Sequence, residues 1–288
     1  KLIEVHEIHL KRTDEVEILT RVTLLMRIGE LWAQQVGNGE KAFDAYSRCF
    51  RLDPANEQCR AQLDALAAHL GFWSHFVALY EEAIEKGGLE SLLTRELLMR
   101  VAVVYDEHLG KSDKAVEFFR RAQAIDPEDT VVLEALEKLY QGHQQWNELL
   151  EVFRKKVEIA TDPKIREGMF FRMAKLWEEV LGNYEQAINT YKEVLAQDDS
   201  NIDALRSLDR LFVQQKMWTD LSENLQRQLV LTQEQVDTVP ILVRLAALRE
   251  SELSELAAAV DTYRQVLEID AANEAATVAL ERLIKLPD

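Results

Sequence analysis

Glycine, proline and cysteine are scarce in this sequence. Its 288 residues include 10 Gly, 5 Pro and 2 Cys, and the first two counts lie below the usage of an average globular protein. A β-rich fold needs many tight turns, which depend on Gly and Pro, so the composition disfavours β architecture. The two cysteines, Cys49 and Cys59, are too few for a disulfide scaffold in a chain of this length.

Long apolar runs and an excess of positive charge are missing as well. No apolar run approaches the roughly 20 residues that a helix needs to span a bilayer. Lys and Arg total 34 against 51 Asp and Glu, which gives a net charge of −17. Nucleic acids and anionic lipids both require clustered cations. We therefore expect a soluble protein with no nucleic-acid partner and no membrane insertion, and the free cysteines favour a reducing, cytoplasmic compartment.

A repeat of about 72 residues organises the whole chain. Four similar segments begin at residues 40, 113, 185 and 257, and each has Ala at its third position, an aromatic residue at its seventh and Asp at its fourteenth. Upstream of each segment stands a small residue: Gly29, Ala102, Ala174 or Ala246. Trp73, Trp146 and Trp218 recur at the same interval. Such self-similarity predicts a repeat architecture.

Within each copy of the repeat, apolar residues recur every three or four positions, the period of an amphipathic helix. Helix ends are expected at Asp53-Pro54 and Asp126-Pro127, because a residue before proline avoids the α region. Asp162 is predicted to cap a helix whose first residue is Pro163. Each copy then forms four helices in two antiparallel pairs, and a turn with positive φ is expected at three glycines: Gly37, Gly110 and Gly182.

The repeated small and aromatic residues indicate how these helices pack. A small residue lets two helix axes approach closely, and an aromatic side chain fills the space beside it. One helix pair cannot bury its apolar stripe alone, so stacked neighbours must cover it. We predict an all-α, right-handed α-solenoid of antiparallel helix pairs, with one array over residues 1–288 that is part of a longer repeat array. Cys49 and Cys59 stand where other copies have Ala or Val, which predicts buried thiols.

These positions resemble the tetratricopeptide repeat, whose helix pair has a small residue, an aromatic three later, then Ala, a second aromatic and Pro. The first copy matches at Gly29, Trp32, Ala42, Tyr46 and Pro54. The second matches at Ala102, Tyr105, Ala115, Phe119 and Pro127, whereas the third and fourth lack the proline. The resemblance implies a superhelical scaffold that binds proteins or peptides, needs no cofactor and is not an enzyme.

In that family the first helix of each pair lines a concave surface, and here one position of this helix is Arg in all four copies. Carboxylates follow about two turns later. The candidate partner-binding residues are Arg27, Arg100, Arg172, Arg244, Asp106, Glu107, Lys175, Glu178 and Glu179. Arg binds carboxylates through paired hydrogen bonds, so the row predicts a groove for a peptide of basic or mixed charge. The family's carboxylate clamp is matched only at Lys175.

Other interpretations stay open at this point. In the first, each Arg of the row pairs with an acid of the adjoining helix, for example Asp44, Glu117 or Asp261, in exposed pairs that contribute little. In the second, the chain is a structural spacer that stacks end to end or forms a homo-oligomer through its terminal helices. In the third, a catalytic domain lies outside this segment.

No metal centre or catalytic site is predicted within the chain. His6 and His9 share one helical turn, but no third ligand accompanies them. The sequence also has neither a Gly-rich phosphate loop nor a serine elbow.

Overall fold

In the computed structural model, which describes residues 1–13 and 17–284, these residues form sixteen helices and no strand. The helices are α1 (Leu2–Arg12), α2 (Ile18–Glu30), α3 (Gly39–Leu52), α4 (Glu57–Leu70), α5 (Trp73–Lys86), α6 (Ser91–Glu107), α7 (Ser112–Ile125), α8 (Thr130–Gly142), α9 (Trp146–Ile159), α10 (Pro163–Lys175), α11 (Tyr184–Gln197), α12 (Ile202–Gln215), α13 (Trp218–Leu231), α14 (Gln235–Ser251), α15 (Leu256–Ile269) and α16 (Glu274–Leu283). The chain continues from α2 and α10 into π-helical segments, Leu31–Val36 and Leu176–Val180.

The predicted four helices per copy are confirmed. Helices α2–α5, α6–α9 and α10–α13 are complete copies, and α14–α16 are the first three helices of the fourth. The chain divides into two compact halves, the N-terminal half Lys1–Gln145 and the C-terminal half Trp146–Asp288. Within each half, consecutive helices joined by short turns pack on one another, which is the hairpin stacking of the predicted all-α solenoid. A single array over residues 1–288 stays a prediction.

Asparagine and aspartate side chains fix where the helices begin. The Asn56 side chain accepts a hydrogen bond from the backbone N–H of Cys59 at the start of α4, and Asp129, Asn201 and Asn273 cap α8, α12 and α16 at the same repeat position. Asp162 caps α10 with Pro163 as its first residue, as predicted. Each such cap stabilises its helix by about 1 kcal/mol, so these caps set the register of the repeat.

The turns of the repeat require left-handed backbone at two places. Gly37, Gly110 and Gly182 have φ of 69°, 60° and 62°, which confirms the predicted turn, and the fourth copy has Ser254 there with φ of 58°. A second left-handed turn joins the third and fourth helices of a copy, at Gly71, Gln144 and Lys216. No glycine marks the turns at Ser254, Gln144 and Lys216, so these three turns were not predicted.

The small residues bring helices into close contact, as expected. A Cβ atom built on Gly29 would lie 2.6 Å from Cζ of Tyr46, and the equivalent Ala102, Ala174 and Ala246 are fully buried. The first copy is therefore packed too tightly at this point for the alanine that the other three copies have. The ring of Tyr46 lies against the bare Cα of Gly29.

The two cysteines are free thiols buried in the N-terminal half, as predicted. The thiol of Cys59 donates to the carbonyl oxygen of Tyr46 at 3.2 Å. Its hydrogen bond with Cys49, together with burial, raises the pKa of the Cys59 thiol, so Cys59 remains protonated and behaves as a small apolar side chain. No helix in the described part of the chain combines the length and the apolar composition that crossing a bilayer requires.

Candidate functional site

The structure pairs two arginines of the predicted row with aspartates of the same chain. In the N-terminal half, Nε of Arg100 on α6 donates to Oδ1 and Oδ2 of Asp64 on α4, at 3.1 and 2.9 Å, and its Nη2 also donates to Asp64. About a third of each of these two side chains is exposed. The pair thus connects the first helix of one copy to the third helix of the copy before it.

The C-terminal half repeats this arrangement with a better shielded acid. Arg244 on α14 donates from Nη1 and Nη2 to the two carboxylate oxygens of Asp209 on α12, at 2.9 and 2.6 Å. Gln228 adds a third hydrogen bond to Asp209 at 3.3 Å. The hydrogen bond to Asp209 raises the pKa of Arg244. The Asp209 side chain is only 11% exposed, so removal of Arg244 would leave a poorly solvated charge.

The other two arginines of the row have different surroundings. Arg27 forms an ion pair with Glu30 of its own helix. The guanidinium carbon of Arg172 lies 4.5 Å from the ring centroid of Phe153 on α9, a cation–π distance. The four arginines therefore do not form one uniform row of groups facing solvent.

The prediction that these arginines pair with Asp44, Glu117 and Asp261 was wrong. Asp44, Glu117 and Asp261 instead lie 3.9, 2.8 and 3.5 Å from basic groups of their own helices, on Arg48, Lys114 and Arg264 respectively. The observed partners, Asp64 and Asp209, belong to the third helix of a copy and lie about 35 residues before their arginines in sequence. Short-range helical spacing could not identify them, because the packing of separate helices decides which faces meet.

Glu178 and Glu250 are also engaged inside the chain. Glu178 accepts hydrogen bonds from the Tyr191 hydroxyl at 3.0 Å and from Nη2 of Arg210 at 2.6 Å. Glu250 forms the same two bonds with Tyr263 and Arg282, 72 positions later. Burial and the neighbouring Glu178 raise the pKa of Tyr191 to about 12. Sequence reasoning missed this Glu–Tyr–Arg set, although the shared 72-residue offset of its three members was a usable signal.

The remaining candidates stay accessible to a partner. Glu107 and Glu179 are exposed, and neither forms an ion pair with any residue that the structure describes. Nζ of Lys175, also exposed, lies 5.2 Å from the ring centroid of Phe171. Asp106 accepts only a long hydrogen bond from Ser112, at 3.4 Å. Six of the predicted site residues are exposed: Arg27, Arg172, Lys175, Arg244, Glu107 and Glu179. Of these, the carboxylates of Glu107 and Glu179 form no ion pair within the part of the chain that the structure describes.

No group of three or more His, Cys, Asp and Glu residues converges as metal ligands within residues 1–13 and 17–284.

Two segments of the chain match family models of the tetratricopeptide repeat, at residues 96–129 and 169–200. These segments cover the first helix pairs of the second and third copies. A curated relative, tetratricopeptide repeat protein 37 of Xenopus laevis, is 23% identical over 181 residues. The match covers 63% of this chain and only 11% of that protein. The family models therefore match the repeats that the sequence resembles. The chain spans only a small part of the length of this curated relative.

Solved structures of repeat proteins are similar to this chain at low identity. One is the Naa15/Naa10 structure bound to HypK-THB, with 14% identity, a TM-score of 0.48 and coverage of 93% of this chain and 39% of that one. Another is a tetratricopeptide repeat protein from Parabacteroides merdae, with 15% identity, a TM-score of 0.38 and coverage of 92% and 99%. A third is the TPR2AB domain of yeast Sti1 in its pHSP90 complex, with 12% identity, a TM-score of 0.36 and coverage of 91% and 96%.

Proposed function

We propose that this tetratricopeptide repeat protein is an interaction scaffold that binds a basic segment of a partner protein along the first helices of its copies. The repeats at residues 96–129 and 169–200 support the scaffold role, since a stack of helical hairpins offers an extended surface for another chain.

The distribution of ion pairs on the first helices carries the proposal for the partner's charge. Arg100 and Arg244 are each held by an aspartate of the same chain, so their charge is already neutralised. Glu107 and Glu179 have no such partner among the described residues and are exposed. Unpaired carboxylates on a protein of net charge −17 attract a basic segment and speed its association.

In this proposal, Arg100 and Arg244 act as positioning residues. Each joins a first helix to the third helix before it, and so holds that first helix in place within its own half of the chain. Glu178 has the same kind of role through Tyr191 and Arg210. Lys175 is an exposed cation of the C-terminal half, and in this proposal it supplies a contact for an acidic group within a mixed-charge partner.

The proposal is tested by fluorescence anisotropy with 15-residue peptides of basic, acidic and mixed composition. Basic peptides are expected to bind best, with affinity that falls as salt rises. Glu107→Lys and Glu179→Lys should each weaken this binding, whereas Glu128→Lys, the same charge change in the loop after α7, should not. Equal binding of acidic and basic peptides, or equal losses in all three variants, contradicts the proposal.

The positioning role of the arginines needs a separate measurement. Arg100→Lys keeps the charge but loses the paired hydrogen bonds, so it should lower stability while the folded protein still binds basic peptides. Loss of peptide binding at unchanged stability would instead indicate that Arg100 contacts the partner directly.

A further inference from the structure

A cleft of about 350 Å³ opens on the C-terminal half between α11 and α13. Its apolar lining comes from Leu195 of α11 and from Leu208 and Phe212 of α12, and Nζ of Lys192 lies 5.5 Å from the ring centroid of Phe212. An adjoining cleft of about 410 Å³ continues along α13 to Val230, and Glu223 and Arg227 line both clefts. The Val230 side chain is 86% exposed. Because both clefts are lined by second, third and fourth helices, they lie apart from the first-helix surface of the proposed function.

The same positions of the N-terminal half are filled. Equivalent positions of the two halves differ by 145 in residue number. In the N-terminal half, Phe50 of α3 stacks on Tyr80 of α5, with ring centroids 4.5 Å apart and an angle of 12° between the ring planes. Phe76 also stacks on Tyr80, with ring centroids 4.1 Å apart. In the C-terminal half, Leu195 and Leu225 stand in place of Phe50 and Tyr80. Leu195 and Leu225 are smaller than those rings, whereas Phe212 stands where the N-terminal half has Ala67. The cleft opens beside Leu195 and Phe212, where the N-terminal half has the stacked ring of Phe50.

An ion pair closes the edge of the filled seam. Nε of Arg51 on α3 donates to the Glu82 carboxylate on α5, at 2.9 and 3.2 Å. The C-terminal half has Ala196 in place of Arg51 and Arg227 in place of Glu82. The exposed Arg227 has no carboxylate within ion-pair distance among the described residues. Ala196 lacks the long side chain of Arg51, and Arg227 places a positive charge where Glu82 has a negative one.

The other charged groups of the cleft do not neutralise the charge of Arg227. Nζ of Lys192 lies 3.0 Å from Oδ1 of Asp220, so α11 and α13 are bridged at one end of the cleft and both charges are neutralised there. Glu223 precedes Arg227 by four residues on the same exposed face of α13, without an ion pair between them. Asp199 also lines the second cleft and is exposed, and it forms no ion pair with Arg227. Arg227 is thus the unpaired cation between the two clefts.

We propose that the α11–α13 cleft is a second docking site, which takes a partner peptide with an apolar side chain next to an Asp or Glu. The apolar side chain lies on Leu195, Leu208 and Phe212, where the N-terminal half has its own stacked rings. The neighbouring carboxylate pairs with Arg227 from the space left by Ala196. The bound peptide would thus supply the contacts that Phe50 and the Arg51–Glu82 pair make within the N-terminal half. The charges are exchanged, because the peptide brings the acid and the chain brings Arg227.

The test selects random 12-residue peptides displayed on phage against the intact chain. The double variant Ala196→Arg/Arg227→Glu rebuilds the pair of the N-terminal half and serves for counter-selection. The peptides retained should have Asp or Glu within two residues of an aromatic or aliphatic residue. Their synthetic forms should bind Arg227→Ala about two- to fivefold more weakly, the change expected for loss of an exposed ion pair. They should bind the double variant more weakly still, because it also reverses the charge and fills the space beside Ala196.

The controls separate this site from the first-helix surface. Arg206→Glu makes the same charge reversal on the exposed face of α12 and should leave binding unchanged, as should Glu179→Lys. Thermal unfolding establishes that each variant is folded. The proposal is overturned if no peptide is retained after counter-selection, if the retained peptides are basic, or if Arg227→Ala binds them as well as the unaltered chain. None of these outcomes depends on whether basic peptides bind the first helices.

Discussion

In the N-terminal half, the seam between α3 and α5 is filled by the stacked rings of Phe50 and Tyr80 and closed by Arg51 and Glu82. At the same repeat positions, the seam between α11 and α13 has leucines at its centre, an alanine at its edge and an open cleft. The buried small and aromatic residues are nevertheless shared, for example Ala42 with Ala187 and Tyr46 with Tyr191. The repeat therefore fixes where the helices lie, while a few seam residues decide whether a surface closes or stays open.

The largest difference between the seams is expected when an apolar side chain is removed from each. Phe50→Ala deletes a fully buried ring and should lower the free energy of unfolding by about 3–5 kcal/mol. Leu195→Ala should cost about 2 kcal/mol, at the low end for leucine, because the cleft already reaches this side chain. Guanidinium chloride unfolding measures both losses, with hydrogen exchange of α3–α5 and α11–α13 to locate them. Equal losses would show that the open seam is packed as well as the filled one.

Alkaline pH should weaken the filled seam more than the open one. Burial raises the pKa of Tyr80 above its ordinary value of 10.0, whereas Leu225 has no proton to lose. Because the folded-state pKa is the higher one, this stabilisation is complete below pH 10 and is lost as the pH rises through the folded-state pKa. The loss approaches about 1.4 kcal/mol per pH unit. Unfolding free energies measured from pH 9 to 12 should fall less steeply for Tyr80→Phe; an unchanged slope would contradict this.

Exchange of the seam residues should close the cleft. The triple variant Leu195→Phe/Phe212→Ala/Leu225→Tyr places the side chains of Phe50, Ala67 and Tyr80 on the C-terminal half. A stacked pair contributes about 0.5–1.5 kcal/mol beyond its buried area, so a gain of about 1 kcal/mol is expected. A crystal structure would establish whether the rings stack and fill the space. A less stable variant with the cleft still open would mean that the spacing of α11 and α13, not their side chains, keeps it open.

The ion pair at the edge of the filled seam should have the smallest effect. Arg51 and Glu82 are 51% and 55% exposed, so solvent screens their attraction. A double-mutant cycle with Arg51→Ala and Glu82→Ala should give a coupling energy of about 0–1 kcal/mol, reduced further in 1 M salt. The same coupling is expected for Ala196→Arg with Arg227→Glu. A coupling well above 1 kcal/mol would make the pair, rather than the rings, the main closure of the seam.

The predictable parts of this fold share a local physical cause. The helix end at Asp53-Pro54, the cap at Asp162 and the turn at Gly37 each follow from steric or hydrogen-bonding preferences within a few residues. The burial of Cys49 and Cys59 was also predictable, because other copies have Ala or Val at those positions. By contrast, no local sequence signal marks the π-helical segments after α2 and α10.

The sequence by itself determined the period, the helices and their buried faces, since these depend on local backbone preferences and on apolar residues that recur every three or four positions. Only the tertiary structure decided that Arg100 and Arg244 pair with Asp64 and Asp209, that Glu178 is enclosed by Tyr191 and Arg210, and that Arg227 faces an open cleft. Such pairings join residues on separate helices, and the reach of a side chain across a seam depends on the size of every side chain within it. A change from Phe to Leu or from Arg to Ala preserves the helix, yet it alters which groups meet.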